Sequence, residues 1–92
     1  MVTTTDILIG QFVKSKAGRD KDRIFIIIEI VDEVYVRIVD GDLRRIESPK
    51  RKKIKHLAKM NQVSDDIQQK LNDNRKVTNQ MVRREIEKLG MI

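Results

Sequence analysis

The sequence contains no cysteine and no tryptophan, and it has one proline and one histidine among its 92 residues. The absence of cysteine excludes disulfide bridges, thiolate metal ligands and a cysteine nucleophile. The lone histidine, His56, cannot build a His-rich metal site, and the sequence shows no nucleophile or orienting partner that would make it a general base. We therefore expect neither a metal nor another cofactor.

Long apolar runs are also missing. The longest one, residues 24–28, is far shorter than the roughly 20 residues needed to cross a bilayer. The opening letters "MVTTTD" have neither a basic start nor an apolar stretch, so they do not resemble an export signal. We expect a soluble cytoplasmic protein.

Signals of catalysis are absent from the sequence as well. There is no phosphate-binding glycine loop, no nucleophile elbow and no metal-ligand spacing. Asp32, Glu33, Asp40 and Asp42 fall at predicted turns, where aspartate is common because its side chain bonds the backbone. We predict a binding protein and not an enzyme.

Positive charge is concentrated in one segment. The chain carries a formal charge of +6, and residues 43–59 hold eight Lys or Arg against one acid, Glu47. A basic surplus in one short segment indicates a polyanionic partner, of which nucleic acid is the commonest. The alternative is a charge run that is merely solvated. Ile54 and Leu57 interrupt the run at intervals typical of an ordered strand end, which favours a binding face.

Two apolar segments, "IFIIIEIV" and "VYVRIV", are rich in β-branched residues and predict strands. Further short strands are predicted at residues 11–15, 43–46 and 54–57, with a tight hairpin at Asp40-Gly41. About five short antiparallel strands favour a small barrel or sandwich. Alternation predicts a core of seven residues: Ile24, Ile26, Ile28, Ile30, Val34, Val36 and Ile38.

After Leu57 the pattern becomes helical, in "SDDIQQKLND" and "TNQMVRREIEKLG". Thr78 is placed to cap the second helix, and Val77 and Val82 have the spacing of a hydrophobic staple. The sequence thus divides into a β domain, residues 1–58, and a helical appendage, residues 59–92. Because short helices are marginal alone, we expect them to cover an outer apolar patch of the sheet formed by Phe25, Ile27, Tyr35 and Val39.

The segment "IGQFVKSKAGRDKDRIFIIIEIVDEVYVRIVDGDLRRIESPKRKKIKHL" resembles the KOW-domain RNA-binding proteins, in particular bacterial relatives of the fourteen-e type of archaeal and eukaryotic large-subunit ribosomal protein. The resemblance covers about residues 9–57. It rests on Gly10, residues 18–21, the Asp40-Gly41 turn and the basic run that ends in His56-Leu57, which occur in the family's order. It implies a mainly β fold with a small SH3-like barrel, and a KOW loop and neighbouring basic segment that contact ribosomal RNA. Many KOW motifs have a glycine where this chain has Asp22, and aspartate tolerates left-handed geometry better than most residues.

The candidate RNA-binding residues form two groups. By position in the resemblance, the loop contributes Lys16, Gly18, Arg19, Lys21 and Arg23. The basic segment contributes Arg44, Arg45, Lys50, Arg51, Lys52, Lys53, Lys55 and His56. We expect Asp20 and Asp22 to orient the cations of the loop, although a loop of this composition is also typical of a solvated turn.

The predicted partner is structured RNA, in particular ribosomal RNA of the large subunit, with ribosomal proteins as further candidates. The chain has three aromatic residues, Phe12, Phe25 and Tyr35, all in or beside predicted core strands, so we expect them to pack and not to stack on bases. Recognition of RNA shape and backbone fits this composition better than a single-strand platform. The alternatives are an SH3-type protein-interaction module and a non-specific nucleic-acid binder.

Overall fold

The computed structural model describes residues 3–90 and contains five strands followed by two helices. The elements are β1 (Gln11–Ser15), β2 (Ile24–Ile30), β3 (Tyr35–Val39), β4 (Lys50–Lys53), β5 (Leu57–Val63), α1 (Asp65–Asn72) and α2 (Asn79–Gly90). Short 3₁₀ turns lie at Thr4–Asp6 and Ile54–His56. The strands form one antiparallel sheet in the order β4-β3-β2-β1-β5. The prediction of a mainly β fold with two C-terminal helices is confirmed.

The sheet is curled, but it is not closed by hydrogen bonds. Within residues 3–90, the edge strands β4 and β5 do not pair with each other, so the SH3-like barrel is not confirmed. Only the Ile54–His56 turn joins these two edges, and such a link spans at most about 14 Å. The outer strands of a flat five-stranded sheet would lie about 19 Å apart. The sheet must therefore bend at this end, where Ile54 and Leu57 are buried.

The core lies on both faces of the sheet. The inner face holds Val13, Phe25, Ile27, Val36 and Ile38, together with Ile7, Ile54 and Leu57. The other face holds Phe12, Ile26 and Val39 packed against Ile67, Val77 and Val82 of the helical region. The helices therefore cover the sheet, but of the four residues predicted to lie beneath them only Val39 does.

The predicted seven-residue core is correct for Ile26, Val36 and Ile38, which are fully buried, and wrong for Val34, which is 44% exposed. Its members also do not share one face. Ile24, Ile26 and Ile28 pack on the helix side, whereas Ile30 packs on the inner side. The cause is a register shift of β2 against β3 between Ile27 and Glu29, because one extra residue reverses the side to which later side chains point.

The strand predicted at residues 43–46 is wrong, because the partner of β3 is the basic run itself, β4. After β3 the carboxylate of Asp40 accepts hydrogen bonds from the backbone N–H groups of Asp42 and Arg44, at 3.0 and 2.8 Å, and bends the chain into a loop.

The strand predicted at residues 54–57 is a 3₁₀ turn followed by β5. The division after residue 58 falls inside β5, which pairs with β1; the division into two domains stays a prediction.

Side-chain caps begin both helices. Ser64 Oγ accepts the Ile67 N–H at 3.3 Å at the start of α1, and Thr78 Oγ1 accepts the Met81 N–H at 3.2 Å at the start of α2. Val77 and Val82 are buried in the same cluster, as the staple predicts. In the described part of the chain, neither helix is long and apolar enough to cross a membrane.

Candidate nucleic-acid interface

The loop between β1 and β2 has a defined conformation. Its backbone is held by hydrogen bonds from the Asp22 N–H to the Ser15 carbonyl, at 2.8 Å, and from the Lys16 N–H to the His56 carbonyl, at 2.9 Å. Gly18 and Asp22 have φ angles of +82° and +71°. The left-handed geometry expected of Asp22 is therefore present, and the loop is fastened to the turn that joins β4 and β5.

A groove of about 390 Å³ lies between this loop and β4, and we call it the basic groove. It brings together residues from the two segments that sequence reasoning selected separately. Its lining consists of Ala17, Gly18, Tyr35, Lys50, Arg51, Lys52, Lys53 and His56. None of these lining residues is acidic, so the positive potential of the groove is not neutralised by its own walls.

Consecutive cations of β4 point to opposite faces of the sheet. Lys50 and Lys52 pair across the strands with buried residues of β3 and lie on the inner face, whereas Arg51 and Lys53 lie on the outer face. The Lys52 ammonium donates hydrogen bonds to Ser15 Oγ at 3.0 Å and to the Ala17 carbonyl at 3.2 Å. Lys52 therefore ties β4 to the β1–β2 loop, while Lys50 and Arg51 are exposed to solvent.

Tyr35 is a groove residue that sequence reasoning did not select. The Arg51 guanidinium lies 4.5 Å from the centre of the Tyr35 ring, and the Lys53 ammonium lies 6.0 Å from it. Phe12 and Phe25 are buried in the core, as expected of packing residues. The signal that could have identified Tyr35 was its position at the start of a strand, on the face opposite Val36 and Ile38.

The carboxylate of Asp32 positions this end of β3. Its Oδ1 accepts the backbone N–H groups of Val34 and Tyr35, both at 2.8 Å. These two hydrogen bonds lower the pKa of Asp32, and the nearby charge of Arg51 lowers it further. Asp32 is therefore ionised at neutral pH and holds the backbone of Tyr35.

Three cations of the predicted site are paired with acids. Arg23 contacts Asp40 at 2.5 Å and Asp42 at 3.2 Å, Arg44 lies 3.6 Å from Asp20, and Arg45 lies 3.4 Å from Glu47. Asp20, which was expected to orient the cations of its own loop, contacts a cation of the β3–β4 loop, and its charge, after those of Asp40 and Asp42, also raises the pKa of Arg23 in its own loop.

The pair of Arg23 and Asp40 is the shortest of these contacts. The hydrogen bond to Asp40 raises the pKa of Arg23. Burial alone would raise the pKa of Asp40, but the backbone N–H groups of Arg44 and Asp42, together with Arg23, outweigh it and hold the Asp40 pKa below its ordinary value. This cluster borders a second cleft, which also contains Asp22 and Glu87 and lies beside α2, outside the basic groove.

The remaining predicted cations are exposed but do not line the groove. They are Lys16, Arg19, Lys21 and Lys55. None of them takes part in an ion pair within the described residues. Their positive charges are therefore not offset by an ion pair in this part of the chain.

No protein-family model matches the chain. A Bacillus subtilis (strain 168) protein named "Putative ribosome-binding protein YbzG" is 32% identical over 72 residues, which cover 78% of this chain and 97% of that relative. The matched length includes nearly all of the relative, so the similarity extends well beyond one short motif. The chain belongs to the same protein family as YbzG.

Proposed function

We propose that the protein binds ribosomal RNA of the large subunit through the basic groove and the exposed cations around it. The observation that carries this proposal is a groove whose lining includes all four cations of β4 and no acidic residue. RNA holds phosphates at close spacing, and lysine or arginine that neutralises them releases counterions and gains affinity. The name of the relative refers to ribosome binding, which supports ribosomal RNA as the bound RNA.

The fold that we propose is an SH3-like barrel of the KOW type, open between β4 and β5 and related to the fourteen-e type ribosomal proteins. The curl of the sheet and its filled inner face support this assignment. The open seam ends at the turn that contributes His56 to the groove. The protein acts by association and not by catalysis, without a cofactor, and ribosome binding places it in the cytoplasm.

Two variants with the same net charge test the position of the interface. The groove variant replaces Lys50, Lys53 and Lys55 by Gln, and the control variant replaces Arg75, Lys76 and Arg84 by Gln. All three control residues are exposed and none lines the groove. Lys52 is left intact because its hydrogen bonds hold the loop.

Binding to purified large-subunit ribosomal RNA is measured over a range of salt concentrations, and circular dichroism verifies that both variants are folded. The groove variant is expected to bind more weakly, and the slope of log K against log salt should fall by about 0.7–0.9 for each phosphate that the variant no longer neutralises. The control variant should keep most of the affinity. Equal losses in the two variants would mean that total charge, and not the basic groove, governs binding.

A further inference from the structure

Within the basic groove, we infer that Tyr35 and Arg51 form a stacking site for one unpaired nucleotide of the bound RNA. The inference rests on the proposed function and goes beyond it, because phosphate contacts alone do not distinguish paired from unpaired RNA. It also assigns Tyr35 a part in binding that the sequence did not indicate.

Tyr35 is held in position by its surroundings. Its backbone N–H donates to Asp32 Oδ1 at 2.8 Å, and Lys53 is its partner across the ladder. The side chain is half-buried at the wall of the groove. A side chain on a backbone held in this way and partly buried loses less conformational freedom when a ligand binds than one on a loose loop does.

Arg51 is not placed by an ion pair within residues 3–90. Its cross-strand partner is another cation, Arg37, and like charges in this position are destabilising. The nearest acid in that row, Glu29, accepts a hydrogen bond from Arg37 at 2.6 Å. Arg51 instead lies over the ring of Tyr35, where its planar group keeps N–H donors for a phosphate.

The dimensions of the groove agree with a single nucleotide. A volume of about 390 Å³ is at the lower end of the range for small-ligand pockets, about 300–1,000 Å³. The lining also includes Gly18, where an added Cβ would meet nothing within 4 Å, so there is open space beside this residue. In a paired stem the faces of the bases are covered by their neighbours, whereas an unpaired base can stack on an aromatic ring or on a guanidinium plane.

The test uses two RNA hairpins with equal numbers of phosphates, one with a bulged 2-aminopurine and one fully paired. Arg51→Lys keeps the charge but removes the plane, and Tyr35→Leu keeps apolar bulk but removes the ring. Arg37→Lys is the matched control, because it makes the same exchange on the neighbouring strand outside the groove lining. Affinity and 2-aminopurine fluorescence are measured at low salt, and circular dichroism verifies folding.

The wild-type protein and Arg37→Lys are expected to prefer the bulged hairpin by about fivefold to a hundredfold and to quench its fluorescence. Arg51→Lys and Tyr35→Leu should lose both the preference and the quenching while still binding the paired hairpin. If the wild type binds both hairpins equally without quenching, the stacking site is refuted and the phosphate-binding groove stands. If it binds neither RNA, the proposed function fails as well.

Discussion

The arginines of this protein meet different neighbours, and the neighbour determines what each can bind. Arg23 donates to the buried carboxylate of Asp40, whereas Arg51 lies on the ring of Tyr35. A guanidinium engaged by a carboxylate must leave that partner before it can grip a phosphate, and its release exposes a buried charge. We therefore expect Arg51 to contribute more to RNA binding than Arg23 does.

Asp40 gives a residue-scale prediction about stability. Its side chain is 4% exposed and accepts hydrogen bonds from Arg23 and from two backbone N–H groups. Asp40→Asn removes the charge that these donors face and should lower the free energy of unfolding by about 1–3 kcal/mol at neutral pH. Asp42→Asn is the matched control, because Asp42 is exposed and its contact with the same arginine is longer, at 3.2 Å. Its cost should be below about 1 kcal/mol.

The pH dependence of this effect follows from the lowered pKa of Asp40. A carboxyl whose folded-state pKa lies below its ordinary value of about 3.9 stabilises the fold above that pH. The contribution is lost as the pH falls through the lower folded-state value. Urea denaturation of wild type and Asp40→Asn should therefore show a difference that is constant near neutral pH and narrows below about pH 4. A difference that widened on acidification would contradict this account.

At the scale of elements, α2 is fixed to the sheet through the loop that follows β3. Arg83 donates to the Gly41 carbonyl at 2.6 Å. Asn79 Oδ1 accepts the Ile46 N–H at 2.7 Å, and Asn79 Nδ2 donates to Glu47 at 2.7 Å. The sequence pattern predicted a strand in this loop. In the structure the loop instead forms hydrogen bonds with α2, which lies more than thirty residues later in the chain.

Two glycines allow this docking to be measured. Gly18 and Gly41 have similar φ angles, +82° and +78°, so alanine meets similar backbone strain at both, about 1–2 kcal/mol. At Gly18 the added Cβ has open space, but at Gly41 it would lie 2.5 Å from the Asn79 carbonyl oxygen. Gly41→Ala should therefore cost about 1–3 kcal/mol more than Gly18→Ala in the free energy of unfolding. Equal costs in urea denaturation would show that α2 does not press on this loop.

For the whole molecule, the sequence predicted the class of fold but not the faces of its strands. Strand β2 is apolar at almost every position, so alternation could not tell the inner face from the helix side. The register shift between Ile27 and Glu29 depends on pairing with β3. Strand β4 consists of four cations, and no hydrophobic pattern marks it. Helix caps and the hydrophobic staple were predictable because they depend on residues within one turn of each other.

The candidate site was predictable to a similar extent. The basic run and the Gly18 loop could be selected from charge and resemblance, and the structure places residues 50–53, His56 and, of the selected loop residues, Gly18 along one groove. The pairing of Arg23 and Arg44 with acids could not be foreseen, because their partners lie in other loops, far away in the sequence. Tyr35 was expected to pack, and its contact with Arg51 was missed because only the β3–β4 ladder brings the two residues together.

The central claim, that this protein binds ribosomal RNA through the basic groove, is tested most directly by sedimentation of cell extracts through sucrose gradients. The wild type is compared with the groove variant, in which Lys50, Lys53 and Lys55 are replaced by Gln, and with the control variant of the same net charge. Each protein is run at low and high salt, with and without RNase. We predict that the wild type and the control travel with the large ribosomal subunit at low salt and are released by RNase or by high salt. The groove variant should stay at the top of the gradient. Association that survives both RNase and high salt, or that is equal for all three proteins, would contradict the account and favour a protein-interaction surface elsewhere on the molecule.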